Sequence, residues 1–174
     1  TSALRNNLLG LPLDLATINL ARGRDAGVPG LNAVRAEFYE ASNQNILLKP
    51  YESWVEYASH LKNEASIINF IAAYGTHALI AGETTLEGKR AAALAIILGV
   101  DQVVDDGSGP RTIVVPTDAV DFLNGLGEYA DDLGGLNNVD LWIGGGQPGG
   151  RDGLANTAGA ELSFDITTPA LLPE

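Results

Sequence analysis

The chain has 174 residues, 45% apolar and 18% charged, enough to bury a core in one domain or at most two. Ten Lys and Arg against 22 Asp and Glu leave a formal charge of −12, which argues against a nucleic-acid binder and against docking on anionic lipid. With no Cys there is no disulfide framework, no thiolate metal site and no Cys nucleophile. The charge is uneven: residues 1–90 hold eight basic and nine acidic side chains, residues 91–174 two and thirteen. No Met is present, so the chain is expected to be a processed piece of a longer polypeptide.

The first hundred residues read as mostly helical. Leu13, Leu15, Ile18, Leu20 and Arg22 lie in a stretch of helical spacing, with Pro12 suited to a first turn. Gly23–Gly30 (GRDAGVPG) is turn chemistry. Leu31–Glu40 resumes a helix, with Leu31, Val34 and Phe38 on the apolar side and Arg35, Glu37 and Glu40 elsewhere. Asn43–Pro50 reads as a linker, and Tyr51–Leu61 as a helix with Trp54, Val55, Tyr57, Ala58 and Leu61 as its stripe. Asn63 caps a helix expected from Glu64 to about His77. Thr84 with Glu87 matches a capping box ahead of Leu86–Leu98. The longest apolar run, Ala91–Val100, is half the roughly 20 residues a bilayer span needs.

The second half is less regular. A hairpin is expected within Val103–Val115 around the polar loop Asp105–Pro110 (DDGSGP). Thr117–Leu126 suggests a short helix capped by Thr117 or Asp118. Asn137–Ile143 is a short apolar element before Gly144-Gly145-Gly146, and Gln147–Glu174 is a Gly-, Pro-, Thr- and Ala-rich tail expected to be extended or loosely packed.

Leu15, Ile18, Asn19 and Arg22 stand at i, i+3, i+4 and i+7, which puts two apolar groups, an amide and a guanidinium on one helix face. Such a stripe fits one wall of a pocket for an apolar ligand carrying carboxylates. The plainer alternative pairs Arg22 with Asp14, Asp25 or another carboxylate and bonds Asn19 to backbone. Arg24 and Asp25 suit a local ion pair that pins the following turn. His60 reads as solvent-facing beside Lys62, and His77 as an imidazole satisfying the last carbonyls of a helix. Asp101–Gly107 and Gly149–Gly153 only faintly suggest calcium loops and read better as solvated turns. Trp54 and Trp142 read as core anchors. No Ser–His–Asp order, HExxH or P-loop pattern is present.

Two segments carry a family resemblance. Leu13–Arg35 reads LDLATINLARGRDAGVPGLNAVR and Asn137–Gly145 reads NNVDLWIGG. Both are similar to motifs of the animal-type haem peroxidases, the superfamily of myeloperoxidase, peroxidasin and cyclooxygenase. Lys49–His60 (KPYESWVEYASH) and the run up to Lys89-Arg90-Ala91 resemble the bacterial branch. The resemblance covers about residues 4–146, and it implies a mainly α fold in which residues 1–146 form the C-terminal portion of a peroxidase domain and 147–174 an irregular acidic tail.

By that resemblance haem is the cofactor. Asn19 matches the asparagine that hydrogen-bonds the proximal haem-ligand histidine, and Arg22 the arginine that pairs with a haem propionate. Leu15 and Ile18 match apolar positions against the proximal side of the haem. Ala26 stands where many relatives have His. The proximal and distal His, the distal Arg and the calcium loop of the family lie upstream of this motif, so no catalytic residue and no metal ligand is assigned to these 174 residues; calcium belongs to the full family domain. The implied activity is peroxide-dependent oxidation of a halide, a metal ion or a small aromatic, with the rest of the peroxidase domain and a small-molecule reductant as partners. A second reading is a non-catalytic scaffold or interaction module that kept the fold and lost haem. Either fits an exported, extracellular bacterial protein.

Overall fold

The computed structural model describes residues 14–107 and 109–144. They form a mainly helical assembly with one two-stranded hairpin. In chain order the helices are α1 (Leu15–Asp25), α2 (Leu31–Ala41), α3 (Trp54–Ser59), α4 (Ser66–Tyr74), α5 (Ala78–Ala81) and α6 (Leu86–Leu98). Strands β1 (Gln102–Val104) and β2 (Arg111–Ile113) follow, then α7 (Ala119–Asn124) and α8 (Leu141–Gly144). Short 3₁₀ turns occupy Ile46–Leu48, Gly127–Tyr129 and Leu133–Asn138. The first of these lies inside the expected linker. The 147–174 tail lies outside the described residues.

The core centres on α4 against α6. α4 buries Ile67, Phe70, Ile71 and Ala72, and α6 meets it with Ala91, Ala92, Ala93, Ala95 and Ile96. The small side chains of α6 let the two helices approach closely. Around them runs an aromatic chain: Tyr51 to Tyr57 (5.2 Å between centroids), Trp54 to Tyr57 (6.0 Å) and Tyr57 to Phe70 (5.0 Å), all edge to face. Trp54 Nε1 donates to the Gly134 carbonyl at 3.0 Å, tying α3 to the turn before α8.

Local chemistry moves several boundaries from their sequence positions. Ser53 caps α3, accepting the Glu56 N–H, so the helix starts three residues after Tyr51. Thr85 rather than Thr84 caps α6: its hydroxyl accepts the Gly88 N–H at 3.1 Å, which places Gly88, not Glu87, at the third helical position. β1 and β2 pair antiparallel, with Val103 opposite Thr112, as the hairpin reading expected.

The buried side of α2 differs from the apolar side read in the sequence. Leu31, Asn32 and Arg35 are buried, whereas Phe38 is 57% exposed. Neighbouring backbone supplies the reason. Asn32 donates to the Tyr51 carbonyl and accepts the Tyr51 N–H, and Arg35 donates to the carbonyls of Leu47 and Lys49. Each polar group enters the interior with partners waiting for it. Trp54 is a core anchor, but Trp142 is 41% exposed and is not. No helix among the described residues is long and apolar enough to cross a membrane.

Candidate functional site

α1 begins at Asp14, whose side chain accepts the Thr17 N–H at 3.0 Å. It runs through Gly23, Arg24 and Asp25, residues that composition alone assigned to a turn. It ends in a Schellman motif: Val28 N–H bonds to the Gly23 carbonyl and Gly27 N–H to the Arg24 carbonyl, with Gly27 left-handed at φ +73°. Glycine is what allows that reversal without a steric penalty.

Arg24 does not pair with Asp25. Adjacent residues on a helix point about 100° apart, and Arg24 instead makes a two-pronged contact with Asp140, its Nε to Oδ1 and its second nitrogen to Oδ2. Asp140 also accepts the Tyr74 hydroxyl at 2.7 Å. Burial pushes the Asp140 carboxyl upward, but the bonds from Arg24 and Tyr74 outweigh it and hold the group below its usual value. Burial and the bond to Asp140 raise the Tyr74 hydroxyl well above its usual range.

More links join the two segments that carry the family resemblance. Gly30 and Asp140 form a β-bridge, Leu31 N–H donates to the Val139 carbonyl at 2.8 Å, and Asn32 Nδ2 donates to Asn137 Oδ1 at 2.9 Å. Segments separated by more than a hundred residues thus form one stitched unit.

Within that unit α1 turns one side inward. Leu20 packs against the core and Gly23 lies beside Trp142, while Arg24 reaches Asp140. At 100° per residue the Leu15, Ile18, Asn19 and Arg22 stripe lies on a different side of the helix from these three. Leu15, Ile18 and Asn19 are half-buried and Arg22 is exposed. Among the described residues no carboxylate forms an ion pair with Arg22 and no side-chain partner of Asn19 is present, so the alternative pairing with Asp14 or Asp25 is not what the helix does. All four residues stand within α1, on the face that helical spacing gives them.

The histidines are engaged elsewhere. His77 is 4% exposed and caps the start of α5, not the end of α4: its Nδ1 accepts the Leu79 N–H at 2.9 Å. The proton is therefore on Nε2, which donates to Asp118 Oδ1 at 3.1 Å. Asp118 stands at the N-cap position of α7 without capping it, because its other oxygen accepts the Tyr129 hydroxyl at 2.6 Å. That bond and the one from His77 hold Asp118 below its usual carboxyl value. With both nitrogens used, His77 has no lone pair for a metal. His60 is half-buried rather than solvent-facing, and its Nδ1 donates to the Glu56 carbonyl at 2.9 Å.

The acidic loop Asp101–Gly107 is likewise committed. Asp101 accepts the Val115 N–H, Asp105 accepts the N–H groups of Gly107 and Gly109, and Asp106 pairs with Arg111. Among the described residues no group of three or more His, Asp or Glu is placed to hold a metal ion. Gly149–Gly153 lies outside them.

Comparison with family models, with curated proteins and with solved structures gives no match. The peroxidase resemblance thus rests on the residues of Leu13–Arg35 and Asn137–Gly145 themselves.

Proposed function

We propose that this chain forms the proximal wall of a bacterial animal-type haem peroxidase domain whose iron ligand and distal groups come from outside these 174 residues. The observation that supports this most is the placement of α1. Asp140 and the neighbouring contacts fix one side of the helix, and the stripe Leu15, Ile18, Asn19 and Arg22 is left on another side without a described ion-pair partner. The residues fit the group: two apolar side chains suit a macrocycle face, and an exposed guanidinium suits a propionate. Asn19 would hold the ligand imidazole in one tautomer by accepting or donating at its second nitrogen. Bound haem supplies the redox chemistry, in which peroxide is reduced and a halide, metal ion or small aromatic is oxidised. Arg22 and Asn19 bind and orient; neither moves a proton on the peroxide.

Under this reading the test uses a polypeptide that supplies the iron-ligand and distal histidines together with these 174 residues. It should show a Soret band, and Arg22→Ala should speed haem loss roughly tenfold, the worth of one charge-assisted hydrogen bond. Unchanged haem retention in a folded Arg22→Ala protein refutes the propionate role. No Soret band would leave the non-catalytic scaffold as the better reading. Haem added to the 174-residue chain alone should give no peroxidase turnover, because the distal acid–base groups are not among these residues.

A further inference from the structure

The chain contains a single Asn–Gly pair, Asn124–Gly125, and it lies where α7 ends. An asparagine followed by glycine is open to ring closure on its own backbone, because the glycine has no Cβ to keep its nitrogen away from the side-chain carbonyl. Asn124 is exposed, so water reaches it. Three contacts hold the pair in place. Asn124 Nδ2 donates to the Val120 carbonyl at 2.8 Å, Gly125 N–H to the Phe122 carbonyl at 3.3 Å, and Leu126 N–H to the Asp121 carbonyl at 2.8 Å. Helical side chains lean toward the N-terminus, so the bond to Val120 keeps the Asn124 amide carbon away from the Gly125 nitrogen that follows it.

That restraint is only as strong as α7. The helix has six residues, of which Ala119 and Phe122 are buried, while Val120, Asp121 and Asn124 face solvent. So short a helix is marginal by itself, and its last turn opens more readily than the core. The other side of the junction is tight. Gly125 is buried at φ +62°, and a Cβ there would lie 2.9 Å from Leu133 Cδ2 and 3.1 Å from the Glu52 carbonyl oxygen. A longer backbone at this point has no room. A carboxylate in place of the Asn124 amide would also deprive the Val120 carbonyl of its donor, stand at the negative end of α7 and lie one turn from Asp121.

We propose that Asn124–Gly125 is a site of spontaneous deamidation that α7 keeps closed in the folded chain and that cannot reclose once converted. In the opened turn the Gly125 nitrogen bonds to Asn124 Cγ, and the side-chain nitrogen leaves as ammonia, carrying off the proton that Gly125 gives up. Water then opens the cyclic imide at either of its carbonyls. One opening leaves aspartate at 124. The other leaves isoaspartate, whose main chain runs through the former side-chain carbon and is longer by one methylene. Water is the sole co-reactant, and the site does not depend on the haem reading of α1.

Holding the 174-residue chain at mildly alkaline pH, and mapping isoaspartate and the amide-to-acid mass change by fragmentation, tests this. Unfolded in guanidinium, the chain should convert at Asn124 before any other asparagine, to a mixture of aspartate and isoaspartate. In the folded chain the same conversion should be slower by roughly tenfold or more. Asp121→Gly should convert roughly fivefold faster than Asp121→Ala, because these two exposed substitutions differ chiefly in helix propensity. After conversion the amides of Gly125 and Leu126 should exchange faster while those of α4 hold. Equal rates in the folded and unfolded chain, or in the two Asp121 variants, would overturn the gating by α7. Unchanged protection of Gly125 and Leu126 in the converted protein would overturn the block on reclosure. An unfolded chain in which Asn124 converts no faster than Asn69 or Asn137 would overturn the site itself.

Discussion

α1 and the α4–α6 pair are held by opposite means. Six of the nine residues of α4 are buried, and α6 is capped at one end by Thr85 and closed at the other by a left-handed Gly99. α1 has no fully buried residue and carries a glycine three positions before its C-cap. Its place is set by the contact of Arg24 with Asp140 and the packing of Leu20, while the Asp14 cap and the Schellman turn fix its ends. Apolar burial fixes position without orientation, whereas a two-pronged guanidinium–carboxylate contact fixes the rotation of a helix about its axis. A helix fastened in this way is suited to presenting a side chain outward, which the α4–α6 pair is not.

The comparison breaks most severely in the core. Trp54 is fully buried, and the Gly134 carbonyl that takes its Nε1–H also takes the Thr76 N–H, so one indole joins three segments. Trp54→Ala should cost roughly 4 kcal/mol, read as a fall in the urea midpoint. A loss under about 2 kcal/mol would show a core able to collapse around the gap.

Asp140→Asn should act on α1 rather than on the core. It leaves Arg24 and Tyr74 without their carboxylate, for an expected loss of about 1–2 kcal/mol, given that Arg24 is largely exposed to solvent. The α1 amides should exchange faster while those of α4 and α6 hold. The pH dependence follows from the depressed folded value of Asp140. Its contribution is present above the unfolded carboxyl pKa of about 3.9 and is lost as pH falls through the lower folded value. Acidification from pH 5 to about pH 2 should therefore loosen α1 in the parent chain and change the Asn variant less. Equal acid sensitivity of α1 in both proteins would remove Asp140 as its tether.

What could be read in advance follows the reach of each interaction. The bounds of α6, Leu86–Leu98, were legible because its apolar residues and first-turn signals are local, although its cap is Thr85 and not Thr84. That Leu15, Ile18, Asn19 and Arg22 share one helix was legible for the same reason, since helical spacing alone puts the four together. α4 stops short of its expected end because Gly75 turns extended and His77 starts α5. Arg24 with Asp140 and Asn32 with Asn137 are pairings across 116 and 105 residues, and nothing local in either segment specifies its partner. The burial of Arg35 was missed because its partners are backbone carbonyls at 47 and 49, which side-chain identity does not reveal. Asn32 and Arg35, three apart on the helix face that also holds Leu31, were the only hint of it.

The smallest effect is the one that separates a tethered helix from a packed one. Gly23 has no positive φ, and a Cβ added there would meet Trp142 Cδ1 at 3.7 Å, an ordinary contact. Gly23→Ala removes the entropic cost of a glycine in a helix interior, worth about 0.5–1 kcal/mol. If α1 opens on its own, that gain belongs to the helix: its amides should gain roughly two- to fivefold in protection while the urea midpoint hardly moves. If α1 is cooperative with the α4–α6 core, the same gain appears in the midpoint and in every slowly exchanging amide. The polar tether and the absence of buried residues in α1 favour the first outcome, and a global shift would show that Arg24 and Asp140 couple the helix to the core.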